Sequence, residues 1–287
     1  AKSDQANSNE NSQSTESESN ANSGQNEPTT LTFAHGFAPN QSWAQAAEKF
    51  KEVVEEKTDG QLTIDIYDSG QLGEQRQLFE DIMASGSNDI TITLEPISQW
   101  VPEVNLYQML YLFDDIDHLR EFEEGPIGQE LKDLVQEETG VRTLTYFARE
   151  ARQLTTTDKE VHSLDDIKGL KIRTTESETA LAGWEALGAQ TVPMAWGEVF
   201  TALQQGVIDG QENPLDHIYA RQTYEVTPYG ALTNHVYASV WLMISEEKYQ
   251  SLPEEWQQVI DEAAAEAHKF ERSLMEEAMT EVMENLE

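Results

Sequence analysis

Gly169-Leu-Lys-Ile-Arg173, then Leu187-Gly-Ala189, Thr191-Val-Pro-Met-Ala-Trp-Gly-Glu-Val-Phe200 and Ala202-Leu-Gln-Gln-Gly-Val-Ile-Asp-Gly-Gln-Glu-Asn-Pro214 make up the stretch on which the fold reading turns. Leu170 and Ile172 flank Lys171, an alternation that predicts a strand. Arg173 ends it. A guanidinium fork matches two carboxylate oxygens, so a strand-end Arg is a ready anchor for an organic acid. A structural ion pair is the plainer role for the same residue. Residues 176–187 read as a helix stopped by Gly188, 191–194 as a strand, and 196–205 as a helix closed by Gly206. Residues 207–209 read as a strand with the loop 211–214 at its end, and Pro214 opens another helix.

Working outward, the same alternation continues upstream. A strand over 31–34 leads through the loop 35–40 into a helix capped by Ser42 and running towards Gly60. Strands follow at 62–66 and 89–94, with a helix over 74–84 between them. Helices are predicted over 116–123 and 127–138, and a long strand over 141–148 runs into Arg149, Arg152 and Thr155-Thr-Thr157. Strand–helix alternation argues an α/β fold with a largely parallel sheet. Ligands in such folds sit beyond the carboxyl ends of strands, where Glu95 falls. Arg149, Arg152 and Arg173 lie close together in a chain with only 18 Lys and Arg. Of these, Arg149 is expected to be a surface or inter-strand partner.

Downstream, an apolar strand is expected over 237–244. Trp256, Val259, Ile260, Ala263, Ala267, Phe270, Leu274, Ala278, Val282 and Leu286 then mark one helical stripe. At about 1.5 Å per residue, such a helix spans on the order of 50 Å, longer than one domain, so it should bridge two lobes. The spacings drift from the strict heptad of a coiled coil.

Composition narrows the function. The 287 residues can bury the cores of about two domains. The absence of Cys excludes disulfides, thiol nucleophiles and thiolate metal sites. The net charge of −36 repels phosphate backbones, so nucleic acid is not an expected partner. The acids are spread along the chain, which suits a salty medium where screening relieves self-repulsion; a halophilic source is expected. Sixteen of the first 27 residues are Ser, Asn or Gln, so residues 1–28 cannot bury a core and are expected to be a disordered tether. The tether is like the spacer behind a lipidated N-terminal Cys. The start at Ala1 fits a processed form. No run is apolar enough for a transmembrane helix. Nucleotide-binding loops, a His-Glu-x-x-His motif and a nucleophile elbow are all missing, and the six His show no ligand spacing. An enzyme has no positive signal here, and neither a cofactor nor a metal is expected.

Several motifs resemble the solute-binding proteins of TRAP (tripartite ATP-independent periplasmic) transporters, the DctP-like family. They are Gln71-Leu-Gly73, Arg152-Gln-Leu-Thr-Thr156, Gly169-Leu-Lys-Ile-Arg173, Met194-Ala-Trp-Gly-Glu-Val199, Asp209-Gly-Gln-Glu-Asn-Pro214 and Thr233-Asn-His235. The resemblance covers about residues 30–287. It implies a two-lobed, type II periplasmic-binding-protein-like fold with a long helix across both lobes. Lobe I would be 29–150 completed by about 238–275, and lobe II 151–237 completed by about 276–287. Such proteins close on an organic acid outside the cytoplasm, in the periplasm or as a surface lipoprotein, and deliver it to membrane permease subunits; a monomer is expected.

By that resemblance Arg173 grips the ligand carboxylate and Arg152 is the second ligand-side arginine. Asn213 is the contacting amide, and Trp196 is an aromatic wall. Glu95 and Gln75 match less constant pocket positions, and His235 lies near the hinge or the ligand. Ser98 stands where the sialate-binding branch has an arginine, which disfavours sialate. The Met194–Val199 form also occurs in binders of ectoine, but the loop after His35 lacks an acid for its cationic ring. A sugar acid, other monocarboxylate or C4-dicarboxylate fits as well, as does an orphan sensory module of the same fold. The family usually continues beyond the long helix, so a chain ending at Glu287 is expected to be cut short or to lack a closing helix.

Overall fold

The computed structural model describes residues 27–286, so the expected tether over 1–28 lies, except for its last two residues, outside the described residues. In chain order the first lobe contains β1 (Thr29–Ala34), α1 (Ser42–Lys57), β2 (Leu62–Tyr67), α2 (Gln75–Met83), β3 (Ile90–Thr93), α3 (Ile116–Glu124), α4 (Pro126–Thr139) and β4 (Val141–Arg149). The second contains β5 (Gln153–Thr156), α5 (Leu164–Ile167), β6 (Lys171–Thr174), α6 (Glu178–Ala186), β7 (Gln190–Pro193), α7 (Val199–Gln204), β8 (Gly210–Asn213), α8 (Leu215–Ala220) and β9 (Tyr229–Ala231). The chain then returns to the first lobe as β10 (Ala238–Ser245), α9 (Glu246–Ser251) and α10 (Glu254–Leu286).

Two five-stranded sheets result, ordered β2-β1-β3-β10-β4 and β7-β6-β8-β5-β9. They are mixed rather than largely parallel. β10 runs antiparallel to β3 and β4, and β5 antiparallel to β8 and β9. The reason is topological. The carboxyl ends of the other strands face the neighbouring lobe, so a strand arriving from that lobe must start there and run away. β5 and β10 are the two arriving strands, and each takes the same place in its sheet.

The two crossings run side by side. The Arg152 N–H donates to Val236 O at 3.0 Å, and Gln153 Nε2 donates to Asn234 Oδ1 at 2.7 Å. This narrow ladder ties the two crossings together between the lobes. The first lobe has a large core in which β10 is buried throughout, whereas the second has two small clusters around Trp184 and Leu203. Trp256, Ile260, Ala263 and Ala267 bury one stripe of α10 in the first core. The helix packs on α1 and β4 and also reaches α8 of the second lobe. The expected contribution of residues 276–287 to that lobe rests largely on side chains outside the description.

Two local readings are corrected. Ser42 is the first residue of α1; the cap position is Gln41, whose side chain makes no cap bond. The strand expected over 207–209 is instead β8, so Gln211, Glu212 and Asn213 are strand residues and not a loop. Hydrophobic periodicity misses β8 because its polar residues are buried with partners: Gln211 donates to Thr155 Oγ1 and Asn213 donates to Gln211 Oε1, both at 2.7 Å.

Candidate functional site

The carboxyl ends of both sheets converge on a cleft of about 280 Å³ between the lobes. Its size is near the lower end for small-molecule pockets, roughly 300–1,000 Å³. Phe37, Trp43, Gln75, Glu95 and Arg149 line it from the first lobe; Arg152, Arg173, Trp196, Asn213 and His217 line it from the crossing and the second. Glu74 and Glu176 are at its edge and exposed.

Each arginine is held differently. Arg152 lies at the crossing just before β5 and is buried. Its Nε and Nη2 fork onto the Glu212 carboxylate, with Nη2···Oε1 at 2.8 Å, and Nη2 also donates to Glu212 O at 2.6 Å. Burial opposes charge on Glu212, but Arg152 and the hydrogen bond from His235 outweigh it and hold the carboxyl at about 2. Arg149, at the end of β4, is paired with Glu95 and lies 5.4 Å over the Trp43 ring. Burial again opposes ionisation of Glu95, and Arg149 brings it down to about 2. Arg173 is the next-to-last residue of β6 and donates through Nε and Nη2 to Met194 O at 3.0 and 2.7 Å. Its guanidinium also lies 5.7 Å over the Trp196 ring. Among the described residues it makes no ion pair. Burial pulls its pKa down from 12.5 to about 10, with Glu212 opposing and Arg152 adding to the shift, so it stays cationic at neutral pH.

The cleft therefore assembles Arg173, Arg152, Asn213, Trp196, Glu95 and Gln75 around one space. His235 is the exception. It is buried behind the cleft, with Nε2 3.0 Å from Glu212 Oε2 and Nδ1 2.7 Å from Thr233 Oγ1, and it does not line the space. It braces the carboxylate that braces Arg152. Gln75 accepts from Thr93 Oγ1 at 3.2 Å. Arg149 corrects the expectation of a surface or inter-strand role: it is buried and lines the cleft. Its position at a strand's carboxyl end, like that of Glu95, was the signal available in the sequence. His217 and Trp43 were also missed, because a His in a short helix and a Trp on an apolar face read as packing.

Two lobes joined by a double crossing, with a cationic cleft at their sheet ends, define a solute-binding protein of the periplasmic type. The chain belongs to the bacterial extracellular solute-binding proteins of family 7, the DctP family, whose profile matches residues 33–287. These are the solute-binding proteins of TRAP transporters, which act in the periplasm and are not enzymes. The chain is similar to the sugar acid binding protein DctPAm of Advenella mimigardefordensis, solved in complex with galactonate; identity is 32%, TM-score 0.87, covering 91% of this chain and 84% of that one. It is similar to a TRAP periplasmic solute binding protein of Roseobacter denitrificans with bound L-galactonate, at 36% identity and TM-score 0.86, covering 91% and 86%. It is also 30% identical over 264 residues to the 2,3-diketo-L-gulonate-binding periplasmic protein YiaO of Escherichia coli, covering 90% of this chain and 78% of that protein. Among the described residues no helix is long and apolar enough to cross a membrane.

Proposed function

We propose that this protein captures a sugar mono-acid in the cleft, with Arg173 as the carboxylate anchor, and closes on it for delivery to TRAP permease subunits. The observation that carries the reading is a charge count. Three buried guanidiniums line the cleft, and two buried carboxylates, Glu95 and Glu212, face them. Arg149 and Arg152 are neutralised, and Arg173 has only a carbonyl and an indole face. A buried cation without a counter-ion is unfavourable, so the cleft favours one negative charge. A dicarboxylate would bring a second charge, and among the described residues no second unpaired guanidinium lines the cleft. Ectoine would need an unpaired buried acid for its ring, and Glu95 is already engaged.

The rest of the cleft suits a polyol. Asn213 and Gln75 offer donors and acceptors to hydroxyls, while Phe37, Trp43 and Trp196 offer apolar walls. Arg152 contributes its field rather than its fork, which Glu212 occupies. Calorimetric titration with galactonate and glucuronate tests the reading. Binding of either is expected, and Arg173→Ala should weaken it at least about a hundredfold, the loss of a desolvated charged partner. An Arg173→Ala protein that binds as tightly as wild type would sink the assignment.

A further inference from the structure

His217 sits where the lobes meet and belongs to neither the arginine cluster nor the crossing ladder. It is in α8 of the second lobe, yet its packing partners include the first lobe. Its ring centroid lies 4.4 Å from that of Trp43, and its Nδ1 lies 3.2 Å from Gln41 Nε2. Gln41 cannot turn its amide freely, because its Oε1 accepts the Ala38 N–H at 2.8 Å. The Nε2 group therefore faces His217 as a donor, and Nδ1 must accept. That leaves the imidazole proton on Nε2, which points towards Asp216 Oδ2 at 3.6 Å. A proton added at Nδ1 would set donor against donor across the lobe boundary.

We propose that His217 latches the two lobes over the bound solute, and that it does so as the neutral Nε2–H imidazole. The charged groups acting on it are Asp216 on its own helix, Glu95 and Arg149 from the first lobe, and Arg152 at the crossing. Burial outweighs the attraction of Asp216 and holds its pKa below the ordinary value. In an open protein the ring is released from Gln41 and Trp43 and titrates near about 6.5. Closure then expels a proton below that pH. Affinity is complete above it and falls as pH drops, by about tenfold between pH 7.5 and 5.5.

The latch rests on the carboxylate reading of the cleft, and one series of titrations separates the two. Galactonate or glucuronate, whichever binds, is titrated calorimetrically at pH 7.5, 6.5 and 5.5 into wild type, His217→Gln and Gln41→Glu. The ligand carboxyl, with a pKa of about 3.5, stays ionised throughout. Wild type is expected to weaken about tenfold across the range. His217→Gln keeps a neutral acceptor that cannot take up a proton in this range, so whatever its affinity at pH 7.5, that affinity should stay flat down to pH 5.5. Gln41→Glu offers the protonated ring an acceptor, so its affinity should hold or improve at pH 5.5. A flat wild-type profile, or a slope that persists unchanged in His217→Gln, overturns the latch and leaves the ligand assignment standing. Absence of binding at pH 7.5 removes both.

Discussion

Glu123 shows at one residue how burial decides a charge. It lies in the last turn of α3 inside the first core, where Oε2 accepts from Ser239 Oγ at 3.0 Å and Tyr107 and Trp241 also bear on the carboxyl. Burial raises its pKa to about 7, against Ser239, Tyr107, Lys132 and Trp241, which favour the charged form. In the unfolded chain it ionises near about 4.3. Folding thus takes up a proton between those values, and stability falls as pH rises through that window. Glu123→Gln should therefore raise the melting temperature at pH 8 and change it little at pH 4, a gain on the order of 1–3 kcal/mol by thermal unfolding. Glu95 and Glu212 have the opposite sign. Their contribution is complete above the ordinary carboxylate range and is lost as pH falls towards 2. Glu212→Gln leaves Arg152 buried without its counter-charge. Chemical denaturation should register a loss of about 3–5 kcal/mol. At this scale the place of Arg173 in the cleft lining was legible, since a cation near the end of an alternating strand stands out in an acidic chain. Arg149 closes β4 and was passed over, although the strand-end rule that singled out Glu95 applies to it equally.

At the scale of elements, β8 is the informative case. Its residues Gln211, Glu212 and Asn213 carry no hydrophobic alternation, so periodicity placed the strand three residues early. What holds β8 in the sheet is pairing: it lies antiparallel to β5, with Gln153 opposite Asn213 and Thr156 opposite Gly210. Gly210 permits that approach, because a Cβ there would come within 2.7 Å of Thr155 O. Gly210→Ala should therefore destabilise the second lobe by about 1–3 kcal/mol, measurable by urea unfolding, even though alanine is the milder residue elsewhere in a strand. α10 was the opposite case. Its long apolar stripe needed no partner to be recognised, and the structure adds which surfaces it joins: α1, β4 and α8.

The whole molecule carries 54 acidic residues and a net charge of −36, while two of its few cations, Arg149 and Arg152, are drawn into buried pairs at the cleft. Self-repulsion of that size should weaken with screening, so the melting temperature is expected to rise between 0.05 and 1 M NaCl; an unchanged value would remove the reading of salt adaptation. Sequence by itself determined the two-lobed α/β class, the long bridging helix and the arginine-bearing strand, because helical stripes, glycine stops and strand alternation are local and periodic. Tertiary structure alone decided that Arg149 and Arg152 are spent on Glu95 and Glu212, that Arg173 lines the cleft with no ion pair among the described residues, and that His217 meets Gln41. Those outcomes depend on residues tens to nearly two hundred positions apart meeting in one desolvated space, where the sum of buried charges, not any single motif, sets what the cleft can hold.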